Sequence, residues 1–345
     1  MNTRFLASVG ALAAVLAVVS LASVSVAGQA PSAGQTPTTA AKTAKTWMPP
    51  RTPWGDPDLQ GIWPSTEMVG VPFERSREFG ERLFLTGEEF ARRAEQARKQ
   101  LEADKAGEGA GFNTPPWWIE RGKPQRQASL VVDPPDGRMP PMTPEGQKRA
   151  AAVRSSFGDD PFNGPEDFSL YDRCITRGVL GTTLPVGYNS GNQILQSPGH
   201  VAIRYEMIHE TRLIPLDGRP HVGPAIRTYM GDARGHWEGN TLVVETTNFN
   251  GRTGVTGNGR NTPTSQALRL VERFTRVDAD TIQYEVTVDD PKTWTRPWKI
   301  AFPWKQAPSH YLFEYACHEG NHGLRNILSG ARAAEKATEE AAKKN

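Results

Sequence analysis

Apolar positions follow three different regimes along this chain. From Phe5 to Val26 they are nearly continuous, and rich in Ala, Val and Leu. Phe90, Ala94, Ala97 and Leu101 recur at helical spacing, with Arg, Lys and Glu on the other positions. From residue 192 onward the spacing falls to two. Short runs then alternate apolar with polar, as strands with one buried face do.

In that second half, strands are predicted at residues 193–197, 200–207, 211–216, 234–237, 241–247, 268–277, 281–288, 298–304 and 311–316. Turn-forming residues separate many of them, including Pro198-Gly199, Asp217-Gly218, Gly239-Asn240 and the Asp278-Ala279-Asp280 stretch. Short connections make successive strands antiparallel neighbours, hence a mainly β chain with an antiparallel meander. One open sheet of that size would leave long free edges. Closure into a calycin-like barrel is therefore the expected fold, with a β-sandwich as the alternative.

Four apolar faces follow from the alternation. They are Val201, Ile203, Tyr205 and Met207; Ile282, Tyr284, Val286 and Val288; Trp298, Ile300, Phe302 and Trp304; and Tyr311, Phe313 and Tyr315. Glu272 falls in register with Leu268, Leu270 and Phe274 and so points inward. Faces this aromatic form a packed core or the wall of a pocket for a ring-bearing ligand. Several Trp and Tyr polar tips would need partners inside, which favours a pocket. Tyr205, Glu272, Tyr284, Trp298 and Tyr315 are the candidate ligand-binding residues. Paired with Arg212, Arg269 or Arg273, Glu272 would be a structural ion pair; unpaired, it would be an acid of raised pKa.

The first half reads differently. Residues 47–63 hold repeated Trp and Pro and are expected to run extended. Thr86 and Glu89 make a capping box for a helix ending near residue 106, before Gly107. Thr143-Pro144 opens a second helix reaching residue 156, and residues 128–132 form a possible strand. Residues 47–170 are expected to wrap around the β domain of residues 171–328, which a charged helix or tail follows at 329–345. At the other end, Arg4 precedes the apolar run, and small residues stand at Ser25 and Ala27. This pattern predicts a signal peptide, residues 1–27, removed after Ala27, and places the mature chain in the periplasm or outside the cell. A retained anchor is the alternative. Residues 28–46 lack large apolar side chains and form a flexible linker. No later segment is apolar enough to span a bilayer.

Composition narrows the function classes. Forty basic residues balance 38 acidic ones, with no basic block, so no nucleic-acid partner is expected. The two cysteines, Cys174 and Cys317, suit a disulfide in an oxidising compartment; the alternative is a pair of thiolate metal ligands. No phosphate loop, nucleophile elbow or dinucleotide fingerprint is present, and no cofactor is expected. His318, Glu319 and His322 match the HExxH zinc-protease pattern. Gly320-Asn321 between them favours a turn that would separate the two histidines, so no metal is assigned. His209 beside Glu206 or Glu210 could act as a base with an orienting carboxylate. With Arg212, His318 and Glu319, His209 and Glu206 form a candidate catalytic set. Asp172-Arg173 reads as a salt bridge or a mouth-lining pair. His221 and His236 lie in turn-rich segments without ligand spacing.

The strings PDLQGIW (57–63), YDRC (171–174), EMIHETRLIPLDGRPH (206–221), GDARGHWEGNTLVVETTNF (231–249), VERFTRVDADTIQYEVTVDDPKTWTRPW (271–298) and YACHEGN (315–321) resemble a large family of secreted bacterial proteins. The resemblance implies export and no particular reaction. The leading expectation is a secreted β-barrel protein binding a small apolar or aromatic molecule in its interior. A small-molecule lyase, isomerase or hydrolase using His/Glu chemistry at the barrel mouth is the second, and a structural envelope module the third. Expressed with its own N-terminus, the protein is expected to be recovered as a chain beginning at Gly28. N-terminal sequencing that returns the intact start overturns the signal-peptide reading.

Overall fold

A computed structural model describes residues 47–107, 118–155, 162–256, 259 and 261–344. The chain divides into Met1–Thr46 and Trp47–Asn345. The expected signal peptide and the linker lie outside the described residues. Among the described residues there are ten strands: β1 (Gly61–Ile62), β2 (Val131–Asp133), β3 (Asn192–Ser197), β4 (His200–Tyr205), β5 (Thr211–Pro215), β6 (Asp232–Glu238), β7 (Thr241–Thr247), β8 (Arg269–Asp278), β9 (Thr281–Asp289) and β10 (Trp298–Lys305). The helices are α1 (Gly87–Lys105), α2 (Pro144–Ala152), α3 (Gly178–Thr183), α4 (Cys317–Gly320) and α5 (His322–Lys344).

The strands form two antiparallel sheets, of order β1-β3-β4-β5 and β2-β10-β9-β8-β7-β6. The meander is thus present from β3 to β10, but its ladder breaks between β5 and β6. The continuous hydrogen-bonded closure expected of a calycin-like barrel is absent among the described residues. One edge of each sheet is covered by a short strand from the first half of the chain: β1 pairs with β3, and β2 pairs with β10. Very short edge strands expose little unpaired backbone.

The same pairing explains why residues 311–316 form no strand. The place beside β10 that such a strand would take is held by β2. The segment runs as irregular chain, with Tyr311 74% and Phe313 64% exposed. The predicted strand from residue 200 also stops at Tyr205. Residues 207–209 form a tight turn in which Ile208 and His209 take left-handed φ of 59° and 43°, so the expected alternation through Met207 is broken. Helix α2 ends at Ala152 rather than residue 156, and α5 begins at His322, before the boundary at 329. Helix α3, all of it buried, was not expected; its Gly, Thr and Val content hides it. The capping box on α1 forms, with Thr86 N–H donating to Glu89 Oε2 at 2.8 Å and Glu89 N–H to Thr86 Oγ1 at 3.3 Å.

One hydrophobic core draws on both sheets, including Ile194, Val201, Ile203 and Ile214 from one and Leu242, Phe274, Ile282 and Phe302 from the other. Strand register sets the aromatic packing. Tyr284 lies opposite Phe302 on one side and Phe274 on the other. The Tyr284 and Trp304 rings stack with centroids 5.3 Å apart. The interior aromatic stripes therefore fill space with one another.

Within this core sits a buried ion pair between the sheets. Arg212 on β5 donates through Nη1 to Glu272 Oε1 at 3.0 Å and through Nη2 to Glu272 Oε2 at 2.5 Å, on β8. It also donates to Tyr205 Oη at 3.0 Å and Thr246 Oγ1 at 3.1 Å, while Tyr284 Oη donates to Glu272 Oε1 at 3.1 Å. Burial works against the Arg212 charge, but Glu272 and Tyr205 more than offset it, so its pKa lies above the ordinary arginine value. Of the three arginines expected as its partner, Glu272 thus pairs with Arg212. Removing one member would strand a buried charge. Glu272→Ala is expected to lower stability by about 3–5 kcal/mol. Arg269→Gln, which breaks the exposed pair with Glu245, should cost less than about 1 kcal/mol. Urea denaturation of both variants checks the contrast.

Candidate functional site

A cleft of about 770 Å³ opens where the chain after β10 and the start of α5 lie across the ends of the fold. Its polar part is built from three tyrosines. Tyr171 comes from the turn before α3, Tyr188 from the segment after it, and Tyr315 from the chain before α4. The Tyr171 and Tyr188 hydroxyl oxygens are 2.5 Å apart, and those of Tyr171 and Tyr315 are 3.4 Å apart. Burial and the neighbouring Tyr171 push the Tyr188 phenol up to about 12. Burial and the other two tyrosines likewise raise that of Tyr315. A phenol hydroxyl can donate as well as accept a hydrogen bond. The apolar part is Trp118, Phe168, Phe313, Leu324 and Ile327. Trp118 is 58% exposed.

A disulfide holds the two sides together. Cys174 and Cys317 are bonded, with Cα atoms 5.6 Å apart and a sequence separation of 143. The thiolate-ligand alternative is thereby set aside. Closing so long a loop stabilises the fold by about 4–5 kcal/mol in the chain-entropy picture. Asn321 Nδ2 adds a hydrogen bond to Asp172 O at 2.8 Å, and the Asp172 carboxylate accepts from Ser169 N–H and Oγ. The YDRC and YACHEGN strings thus meet at this junction.

Glu206, at the end of β4, is buried at one side of the cleft. It accepts from Asn189 Nδ2 at 3.0 Å, Gly191 N–H at 3.1 Å and Phe313 N–H at 3.2 Å, and its Oε2 lies 3.0 Å from His310 Nε2. A Cβ at Gly191 would stand 2.6 Å from Glu206 Oε2 and 2.8 Å from His310 Nε2, so the position has no room for a side chain. Burial raises the Glu206 pKa, but the bonds from His310, Asn189 and Phe313 outweigh it and leave the value below the ordinary one. The hydrogen bond to Glu206 raises that of His310.

The expected catalytic set does not converge. Glu206 faces the cleft, and Arg212 lies in the core against Glu272. His209 is exposed, with Nδ1 3.2 Å from Tyr315 O. His318 and Glu319 are exposed on α4 and do not line the cleft. Of the expected ligand-binding residues, Tyr315 lines the cleft. Tyr205, Glu272, Tyr284 and Trp298 are packed in the interior. Gly320-Asn321 does not make the left-handed turn expected of it. It separates α4 from α5 instead, with Asn321 at φ −81° and ψ 59°. The two histidines of the HExxH string thus stand on different helices, and no group of three metal-ligating side chains occurs among the described residues. His221 contacts Asp232 at 2.9 Å, and His236 contacts Glu238 at 3.2 Å.

Sequence reading did not single out Trp118, Tyr188, Asn189 or His310. None carries a local pattern, because the fold assembles them from segments far apart. No protein-family model, curated protein or solved structure matches the chain.

The Glu206–His310 pair makes stability depend on pH. The glutamate's contribution is present above its unfolded value near 4.5 and is lost as pH falls through its lowered folded value. The histidine's is full below 6.5 and is lost as pH rises through its raised folded value. The pair therefore stabilises most between those limits. Glu206→Gln should cost about 2 kcal/mol near pH 5.5, and should flatten the loss that the wild type shows above pH 6.5. Urea titrations at several pH values check both.

Proposed function

We propose that the chain is an exported protein that binds a small, ring-bearing molecule in the cleft beside α5. The carrying observation is the combination of open apolar walls with a cluster of three tyrosine hydroxyls in a cleft of about 770 Å³. Small-molecule sites typically measure ~300–1,000 Å³ and join apolar walls to a few convergent polar groups. Trp118 and Phe313 offer faces for a ring, and the three phenols offer donors to a carbonyl or hydroxyl. The interior aromatic stripes are a poorer candidate, because they already stack on one another. The reading thus keeps the class of ligand expected from sequence and moves its place. The shared core favours sheets packed as a sandwich, with the cleft beside them. The disulfide fits the periplasm or the outside of the cell.

Acid–base catalysis by Glu206 is less well supported. Its oxygens are occupied by three protein donors and His310, an arrangement that orders the chain around Phe313. A base needs a free lone pair within reach of the proton it abstracts.

Native mass spectrometry of protein taken from its exporting cell is expected to show a bound organic mass in the wild type. Leu324→Arg, which puts a charge on the apolar wall, should lose that mass. Binding of the recovered molecule, followed by fluorescence, should weaken about tenfold or more in Trp118→Ala, equivalent to ~1.4 kcal/mol or more. Retention of full affinity by both variants would overturn the assignment.

A further inference from the structure

A second cavity, of about 300 Å³, lies behind the tyrosine cluster and is lined by five arginines: Arg149, Arg154, Arg173, Arg177 and Arg252. Glu166 is the one carboxylate among its lining residues. Two of the arginines are engaged elsewhere. Arg149 bonds Glu145 and Thr293, and Arg154 lies over the Phe162 ring at 5.9 Å. The other three are not neutralised among the described residues. Arg173 and Arg252 have no side-chain hydrogen bond or ion pair there. Arg177 packs over the Tyr171 ring at 4.6 Å and reaches Met207 Sδ at 2.6 Å, and it has no acidic partner. Its Nε is buried and without a hydrogen bond.

Unpaired guanidinium groups gathered around one cavity repel each other, and a buried N–H without an acceptor is costly. Both penalties are removed by an anion with several oxygens. Arginine forks match such oxyanions in bidentate geometry, which a lysine ammonium cannot do. The lining also includes the hydroxyl-bearing Thr253 and the small residues Gly254 and Gly259. Gly259 takes φ +77°, and a Cβ on Gly254 would stand 2.2 Å from its Cα, so this part of the wall is backbone at close quarters.

We propose that this cavity is a binding site for a tetrahedral oxyanion, a phosphate or sulfate group, carried free or on a small molecule. Arg177 would anchor it from the buried side, and Arg173 and Arg252 would close on it from the surface. The proposal is independent of the aromatic cleft, although Phe168 and Tyr171 line both cavities.

Isothermal titration of the mature chain with inorganic phosphate, sulfate and citrate, against chloride at matched ionic strength, tests it. Phosphate and sulfate should bind saturably, and citrate at least tenfold more weakly. The double variant Arg173→Gln/Arg252→Gln should weaken phosphate binding tenfold or more. Its melting temperature in chloride should equal or exceed that of the wild type, since like charges have been removed. Leu324→Arg should bind phosphate as the wild type does, which separates this site from the cleft. Phosphate heats indistinguishable from chloride would overturn the proposal, as would unchanged affinity in the double variant. Citrate binding as tight as phosphate would overturn the tetrahedral class.

Discussion

The ion pair between Arg212 and Glu272 is the constraint around which the two sheets are arranged. Burying two charges is expensive, and close bidentate geometry with further hydrogen bonds offsets the cost. Here the guanidinium reaches from β5 in the smaller sheet to β8 in the larger, and Tyr205, Thr246 and Tyr284 join it. Strand register is tied to this network. A slip by one residue would turn Glu272 to the outside and leave Arg212 buried without a partner. Apolar packing alone tolerates many arrangements, whereas a bidentate pair in the core tolerates few. The polar tips of two buried tyrosines, Tyr205 and Tyr284, find their partners in the same network.

Around that core a borrowed strand covers one edge of each sheet. β1 and β2, from the first half of the chain, pair with β3 and β10. Because β2 holds the place next to β10, the chain after residue 305 is turned away from the sheet. It crosses the end of the fold, where Glu206 fixes it through Phe313 N–H and His310. The disulfide then anchors α4 to the turn before α3. The cleft is the space this detour leaves beside Trp118 and the tyrosine cluster. Its existence follows from the edge pairing, so fold and candidate site share a cause.

Much of the fold was legible locally. The capping box at Thr86, the turns between strands and the alternation of β8, β9 and β10 each depend on a few adjacent residues, and each formed as the pattern implied. Glu272 was read as inward because its register with Leu270 and Phe274 could be counted. The failures also share a cause. Residues 311–316 alternate as a strand does, but a strand needs a free edge, and that edge went to residues 131–133 in the first half of the chain. The Glu206–Arg212 cluster looked like one site because its members are close in sequence. The left-handed turn at Ile208 and His209 sends Glu206 to the cleft and Arg212 into the core. The histidines of the HExxH string, read as separated by Gly320-Asn321, stand on either side of a helix break at Asn321.

By itself, then, the sequence determined the class of structure: antiparallel, mainly β, with two capped helices ahead of it and a pair of cysteines able to bridge. Those properties rest on backbone preferences and period-two burial, which act over a few residues. Only the tertiary structure decided that the sheets are two and that interior aromatics pack on one another. It alone gathered Trp118, Tyr171, Tyr188 and Tyr315 around a cleft, set His310 against Glu206, and brought five arginines around a second cavity. These are contacts between segments more than a hundred residues apart in several cases, such as Glu206 with His310 and Cys174 with Cys317. Nothing in the local chemistry of either partner selects the other. The selection is made by which strand occupies which edge, and that is a property of the whole fold.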